Sequence, residues 1–309
     1  MLAVRSRACF AVAILFSATA ALGNLPTRAV ALSGQPAPGH GSFAPFESDN
    51  GIALNNKGQL LFFADDEHDH NVWLRSTTGT LLPLYHTLDQ APGFPPGNLL
   101  SMASTSPVNW YLNESGQTIL TEACCNGERG WMAGPGGLQL IGSQANPPAG
   151  VTGTVTGLRV DHINDSGQVA LLYETNFSSG SGTLLAGSLG SLQIVAQGEV
   201  GDAMLDNAGN IAFLARQGGT YGIWRGQPGN LHLIATGDNN HRIESPYLSN
   251  DGHIAFTGST ALGTSALLVG APGAAPAVVL RDGDPAPGLP GQTIQTPLCA
   301  ARAIGGGKT

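Results

Sequence analysis

The sequence predicts an all-β protein, a β-propeller of five four-stranded antiparallel blades, with an incomplete six-bladed ring as the alternative. Three observations predict it. One phrase recurs five times, as LNNKGQLLFF at Leu54, LNESGQTILT at Leu112, INDSGQVALL at Ile163, LDNAGNIAFL at Leu205 and LSNDGHIAFT at Leu248. Counted on its second residue (Asn55, Asn113, Asn164, Asp206, Ser249), the intervals are 58, 51, 42 and 43 residues. That is close to the ~40 to 50 residues of a four-stranded blade and unlike leucine-rich or hexapeptide solenoids. The composition agrees: 44 glycines and 20 prolines in 309 residues serve many turns, and charged residues make up only 11%, against roughly 25% in an average soluble domain.

Arg5 and Arg7 precede an apolar run from Ala8 to Phe16, the layout of a secretory leader. Residues 1–23 are read as that leader, and 24–41 as a leading segment with a strand at 29–32 that helps close the ring. The reason for keeping that strand intact is that AVALSGQPAPG at Ala29 closely repeats AVVLRDGDPAPG at Ala277. Repeats fill 42–292, with blades near 42–98, 99–150, 151–199, 200–240 and 241–292. The tail, 293–309, reads as a truncated repeat.

Within each unit the order is constant. A first extended stretch enters the polar turn, where Asn or Asp bonds its own backbone two residues on and the following glycine (Gly58, Gly116, Gly167, Gly209, Gly252) takes a left-handed conformation. An apolar second strand follows, apolar on both faces as a blade between two neighbours requires. The third strand is NVWLR at Asn71, GWMAG at Gly130, TLLAG at Thr183, GIWRG at Gly222 and ALLVG at Ala266. The fourth is LLPLY at Leu81, LQLIG at Leu138, LQIVA at Leu192, LHLIA at Leu231 and AVVLR at Ala277. It commonly leads into a Pro and Gly linker such as APGFPPG at Ala91. Trp73, Trp131 and Trp224 occupy matching third-strand places, which points to packing between blades.

The phrases LDNAGNIAF and LSNDGHIAF, with GIWRG and RDGDPAPG after them, resemble the secreted bacterial proteins of tandem NxxGxxAF repeats often met under "choice-of-anchor" names. The resemblance spans about 29–292. Those repeats are similar in turn to TolB-type propeller repeats, and the resemblance implies an exported β-propeller with no established activity. The first two units depart from it, reading LLFF and TILT where the AF pair stands.

A net charge of −8 without a long basic run argues against nucleic acid. After the leader no apolar run approaches the ~20 residues of a membrane span. Cys124, Cys125 and Cys299 are an odd set; a vicinal disulfide, a link to Cys299 and a role as small buried fillers all stay open. The terminal GGGKT fails as a phosphate loop, since Arg302 stands where the earlier glycine belongs. No HExxH or GxSxG motif is present.

Glu47, Asp161, Asp202 and Glu244, with Arg159, His162 and Arg242 nearby, fall on stretches expected to line a central channel. Two such carboxylates ~5 to 9.5 Å apart can perform acid and base work on a glycosidic bond. Their offsets from the turn are unequal, however, which suits rim charges better than a common geometry. Asp65, Asp66, Glu67, His68, Asp69 and His70 are the one densely charged stretch, and imidazoles alternating with carboxylates make Asp65, Asp66, His68, Asp69 and His70 candidate ligands for zinc or another divalent ion. No other cofactor is expected. The functional expectation is a monomeric, secreted or periplasmic, non-catalytic module that binds or scaffolds an extracellular protein or polysaccharide. The alternative is a polysaccharide-acting glycosidase or lyase using the channel carboxylates.

Overall fold

The structure, a computed structural model, describes residues 30–44, 52–65, 70–101, 111–124, 127–176, 181–237, 243–244, 246–259 and 264–294. The leader, Glu47, residues 66–69, Arg242, Cys125, Cys299 and the tail from 295 lie outside them. Among the described residues every regular element is a strand and every strand pairing is antiparallel. No helix there is long and apolar enough to cross a membrane.

The strands form successive meanders, each seeded by one copy of the repeated turn. The first unit is β1 (Ile52–Leu54), β2 (Leu60–Asp65), β3 (His70–Arg75) and β4 (Leu81–Tyr85), in that order. The second holds β5 (Thr118–Cys124), β6 (Gly127–Gly134) and β7 (Gly137–Ser143). The third begins with β8 (Gly157–Ile163), β9 (Val169–Asn176) and β10 (Ser181–Gly187). The long β11 (Gln193–Leu205) then closes the third unit and opens the fourth, which continues with β12 (Ile211–Gln217), β13 (Thr220–Gln227) and β14 (Asn230–Thr236). The fifth is β15 (Tyr247–Leu248), β16 (Ile254–Ser259), β17 (Ser265–Gly270) and β18 (Ala277–Arg281).

Units three and four thus share one seven-stranded sheet. Residues up to Glu199 pair with β10 and those from Val200 pair with β12, so the expected boundary at 199/200 falls inside a continuous strand. The physical reason is the linker. The stretch AQGEVGD has no proline to interrupt a ladder, and Gly198 at φ 105° lets the chain bend without breaking.

Alternate side chains of each second strand face opposite neighbours. On β2, Leu61 and Phe63 meet Leu120 and Trp131 of the second unit, whereas Phe62 and Ala64 meet Ala37 of the leading segment and Phe43 just after it. On β9, Leu171 and Tyr173 join Ile119 and Met132, and Leu172 joins Leu205 and Phe213. On β12, Phe213 faces the third unit, while Ala212 and Leu214 face Ile254 and Phe256 of the fifth. Each core therefore lies between consecutive units, which accounts for strands that are apolar on both faces. Residues 30–32 are irregular rather than a strand, and Val30 and Ala31 lie against the first sheet.

The repeated turns carry a second kind of contact. All five glycines have the left-handed backbone, with φ between 75° and 86°. Asn113 Oδ1 accepts the N–H groups of Ser115 (3.0 Å) and Gln117 (2.8 Å), and Asn55, Asn164 and Asp206 do the same two and four residues on. The amide Nδ2 of each asparagine gives one hydrogen to the glutamine at +4. It gives the other to the backbone of the next turn: Asn55 to Asn113 O (2.8 Å), Asn113 to Asn164 O (3.0 Å), Asn164 to Asp206 O (2.9 Å).

A parallel ladder runs one residue later. The N–H groups of Asn56, Glu114, Asp165 and Asn207 donate to the side-chain oxygens of Glu114, Asp165, Asn207 and Asn250 at 2.8–3.1 Å. Asp165 Oδ2 accepts from Asn207 Nδ2 (2.6 Å) and lies 3.5 Å from Asn250 Nδ2, so the third, fourth and fifth turns converge on one place.

Candidate functional site

Beside the converging turns the first strands of units three and four each carry a bulge. Register shifts between Val160 and His162 on β8, and between Val200 and Ala203 on β11. Asp161 and Asp202 occupy these bulges, and a bulge re-aims the side chain it carries.

Asp161 is thereby turned into the joint between the two units. Its side chain is fully enclosed. Oδ1 accepts Arg159 Nε at 2.5 Å; Oδ2 accepts the Ala203 N–H at 3.2 Å and Arg159 Nη2 at 3.3 Å. The same guanidinium lies 3.0 Å from Asp202 Oδ1 and 3.8 Å from Glu174 Oε1. Burial pushes the Asp161 carboxyl up to about 6 against the pull of Arg159. Burial opposes the charge of Arg159, but Asp161 first, then Asp202 and Glu174, hold it above its ordinary value. Two of the four candidate carboxylates are thus brought together with a cation between them, and Asp161 is spent on its neighbours. Glu244 stands apart on the fifth unit, where its N–H donates to Thr257 O and its Oε2 accepts from Thr257 Oγ1, both at 2.9 Å.

His162 is buried next to this clasp. Nδ1 accepts the Leu205 N–H at 3.2 Å, which leaves the hydrogen of the neutral ring on Nε2, enclosed without a hydrogen-bond partner among the described residues. Burial lowers its pKa to about 3. Tyr111 tilts over the ring at 4.1 Å, and burial, then Asp165 and Glu114, raise its phenol to about 12. A neutral imidazole, a protonated phenol and a carboxylate paired with arginine form a buried polar joint between the two units.

A cavity of about 230 Å³ opens between units three and four, lined by Gln168, Ser188, Ser191, Gln193, Gln227 and the Ala208–Gly209 turn. Its polar groups are amides and hydroxyls, suited to an uncharged, hydrogen-bonding ligand.

Trp131 is fully buried between the first and second units and Trp73 between the first unit and the leading segment, and each indole N–H is satisfied: Trp73 by Ala64 O, Trp131 by Glu122 Oε2 at 2.7 Å. Trp224 bonds to Ala215 O and packs between units three and four. Of the candidate metal stretch, Asp65 and His70 pair in register across β2 and β3; Asp66, Glu67, His68 and Asp69 lie outside the described residues. Sequence reasoning passed over His40, His86 and Asp89, whose ligand atoms all lie within 4.8 Å of one another. The two histidines are 46 positions apart in loops, and only tertiary structure joins them.

No curated protein is similar enough in sequence to count as a match. Among solved structures, one of two prolyl endopeptidases analysed for inter-domain dynamics in catalysis and specificity is 10% identical, with a TM-score of 0.49, over 80% of this chain and 35% of that one. An uncomplexed acylaminoacyl peptidase from Pyrococcus horikoshii is 14% identical, with a TM-score of 0.44, over 72% of this chain and 38% of that one. The chain spans little more than a third of the length of either, and similarity of this degree says nothing about its activity. One family profile matches twice, over residues 13–199 and again over 112–295. Its overlapping placements follow from the internal repeat, and together they cover most of the sequence: the chain belongs to the family described as a family of unknown function, DUF7453.

Proposed function

We propose that the chain is an exported β-propeller of five blades that acts as a non-catalytic binding or scaffolding module of the cell envelope or extracellular space. The observation that carries this reading is the pair of ladders along the repeated turns, one joining the first four and the other all five. It ties successive meanders at a common edge, and its convergence at Asp165 supports a curved, axial arrangement rather than a flat row. A body cross-linked in this way is a rigid support on which loops can be presented. Export is supported by the Arg5, Arg7 and apolar-run layout, and the NxxGxxAF resemblance points the same way. The partner is an extracellular protein or a polysaccharide, and the amide-lined cavity between units three and four favours an uncharged, hydroxyl-rich ligand.

One observation favours the second reading, a polysaccharide-acting enzyme. Asp161 at about 6 beside Asp202 has the value a general acid needs. Against it stands the enclosure of Asp161 behind Arg159. A panel of neutral and acidic polysaccharides, assayed for binding and for cleavage, separates the two. Saturable binding without turnover, unchanged in Asp202→Asn, is expected. Turnover abolished by Asp202→Asn or Asp161→Asn in a folded variant would overturn the binding-module reading.

A further inference from the structure

Four loops of the chain fold alike, and one differs in chemistry. Each opens with a turn in which an N–H reaches back three residues: Gln35 to Leu32, Asp89 to His86, Asn146 to Ser143 and Asp284 to Arg281, at 3.0–3.3 Å. Each then reaches an apex with the same backbone bond: His40 to Ala37, Phe94 to Ala91, Val151 to Pro148 and Leu289 to Ala286, at 3.0–3.3 Å. Three apices are hydrocarbon and the first is an imidazole.

The apex of one loop seats on the tryptophan of the following unit. Phe94 meets Trp131 edge-on at 6.1 Å, and His40 meets Trp73 in the same way at 6.0 Å. The strand registers make the two niches comparable residue by residue, because Trp73 and Trp131 pair across to Pro83 and Leu140, and Val72 and Gly130 to Tyr85 and Gly142. His86 therefore stands where Ser143 stands, and Asp89 where Asn146 stands. Phe, Ser and Asn in one niche are His, His and Asp in the other, a concerted replacement of three neutral groups by three metal-ligating ones.

The geometry gathers them. The His40 and His86 rings are stacked at 3.8 Å and 20°, and Asp89 Oδ1 lies 3.4 Å from His86 Nδ1. Leu88, between the histidine and the aspartate, takes φ +71°, as Gly34 and Gly283 do at +76° and +88° in two of the matching loops, whereas Ala145 in the third does not. The imidazoles are half-buried, and the Asp89 side chain is 57% exposed, so solvent reaches the cluster from one side.

We propose that His40, His86 and Asp89 form a binding site for a zinc-class divalent ion, which staples the leading segment to the first unit. Two imidazole nitrogens and one carboxylate oxygen are ligands that zinc accepts at ~2.0–2.2 Å, and three protein ligands leave a position for water. Binding turns the two rings out of their stack so that their in-plane lone pairs converge. Because His40 belongs to the leading segment and the other two ligands to the loop after β4, the ion adds a link to the apolar contacts by which Val30, Ala31 and Ala37 meet the first unit.

The test is calorimetric titration of zinc chloride into tag-free, chelator-stripped protein, with thermal melts alongside. One ion per chain and a raised melting temperature are expected for the wild type. His40→Phe, which installs the apex residue of the neighbouring loop, should melt like stripped wild type and lose zinc affinity by roughly 100-fold or more, at least the loss that even outer-shell changes bring. Asp89→Asn, at an exposed position, gives a second reading if His40→Phe does not fold. His68→Ala with His70→Ala, and a variant with serine at Cys124, Cys125 and Cys299, should bind as the wild type does. Absence of one-to-one binding, or undiminished binding in folded His40→Phe or Asp89→Asn, overturns the proposal, as does loss of binding confined to the His68/His70 or cysteine variants.

Discussion

The joint between the third and fourth units and the joint between the fourth and fifth are built on the same turn and held by different chemistry. At the first, Asn164 donates its amide to Asp206 O, His162 accepts the Leu205 N–H and Asp161 accepts the Ala203 N–H, all buried. At the second, Asp206 replaces the asparagine. A carboxylate has no hydrogen to give to the next turn; it accepts from Asn210 Nδ2 instead, and Arg225 Nη2 stands 3.6 Å from its Oδ2, close by Gly252. Ala203 and Met204 take the places of Asp161 and His162. The difference teaches that the Asn in the repeat has two separable duties, closing its own turn through Oδ1 and joining the next unit through Nδ2. Asp keeps the first and gives up the second.

The largest expected effect comes from removing both duties at once. Asn164→Ala removes the acceptor of the Ser166 and Gln168 N–H groups and one of the two donors to Asp206 O, which keeps the Gly209 N–H. At ~1 kcal/mol for each hydrogen bond lost, denaturant unfolding should show a loss of roughly 3 kcal/mol. Asn164→Asp keeps the turn and should cost less. Equal losses for Ala and Asp would show that the inter-unit bond contributes nothing.

Next is the pH response of the same joint. His162 is held neutral with a pKa of about 3, whereas the unfolded chain takes up that proton near 6.5, so acidification favours unfolding progressively between those values. Asp161, raised to about 6, works in the opposite sense between its unfolded value and 6, but its shift is smaller. The two slopes oppose each other between pH 6 and 4, so wild-type stability should change little across that range. In His162→Phe the Asp161 contribution stands alone and stability should rise on acidification from pH 6 toward 4, by at most ~3 kcal/mol; an unchanged pH profile would contradict the buried neutral imidazole. A smaller effect is expected at the turn itself. Gly209, at φ 80°, should not tolerate Val, at a cost of roughly 1 kcal/mol or more, while Ala208→Val should be milder. Comparable tolerance would refute the left-handed assignment.

How far the sequence revealed these joints depends on how far apart the partners lie. The turns, their glycines and the order of strands were legible, because each follows from residues within a few positions of one another. The expected boundary at 199/200 falls inside the unbroken β11, which was not foreseen, since a linker without proline leaves the ladder free to continue. The second duty of the asparagines was hidden because their acceptors lie 42 to 58 residues away. Asp161 and Asp202 were singled out with Glu47 and Glu244 as channel carboxylates, yet a bulge, invisible in an alternating pattern, decides that Asp161 faces the next unit instead of water. The tryptophans were read as packing from their equal spacing, and they pack.

Native-state hydrogen exchange at the turns tests the central claim, that each turn is clasped by the next. The Asn56, Glu114, Asp165 and Asn207 N–H groups belong to exposed or half-buried turn residues and would exchange quickly in an isolated turn, but each donates to the following unit. The equivalent Asn250 N–H has no acceptor among the described residues. Strong protection at the first four and fast exchange at Asn250 is the predicted result; uniformly fast exchange at all five would contradict it.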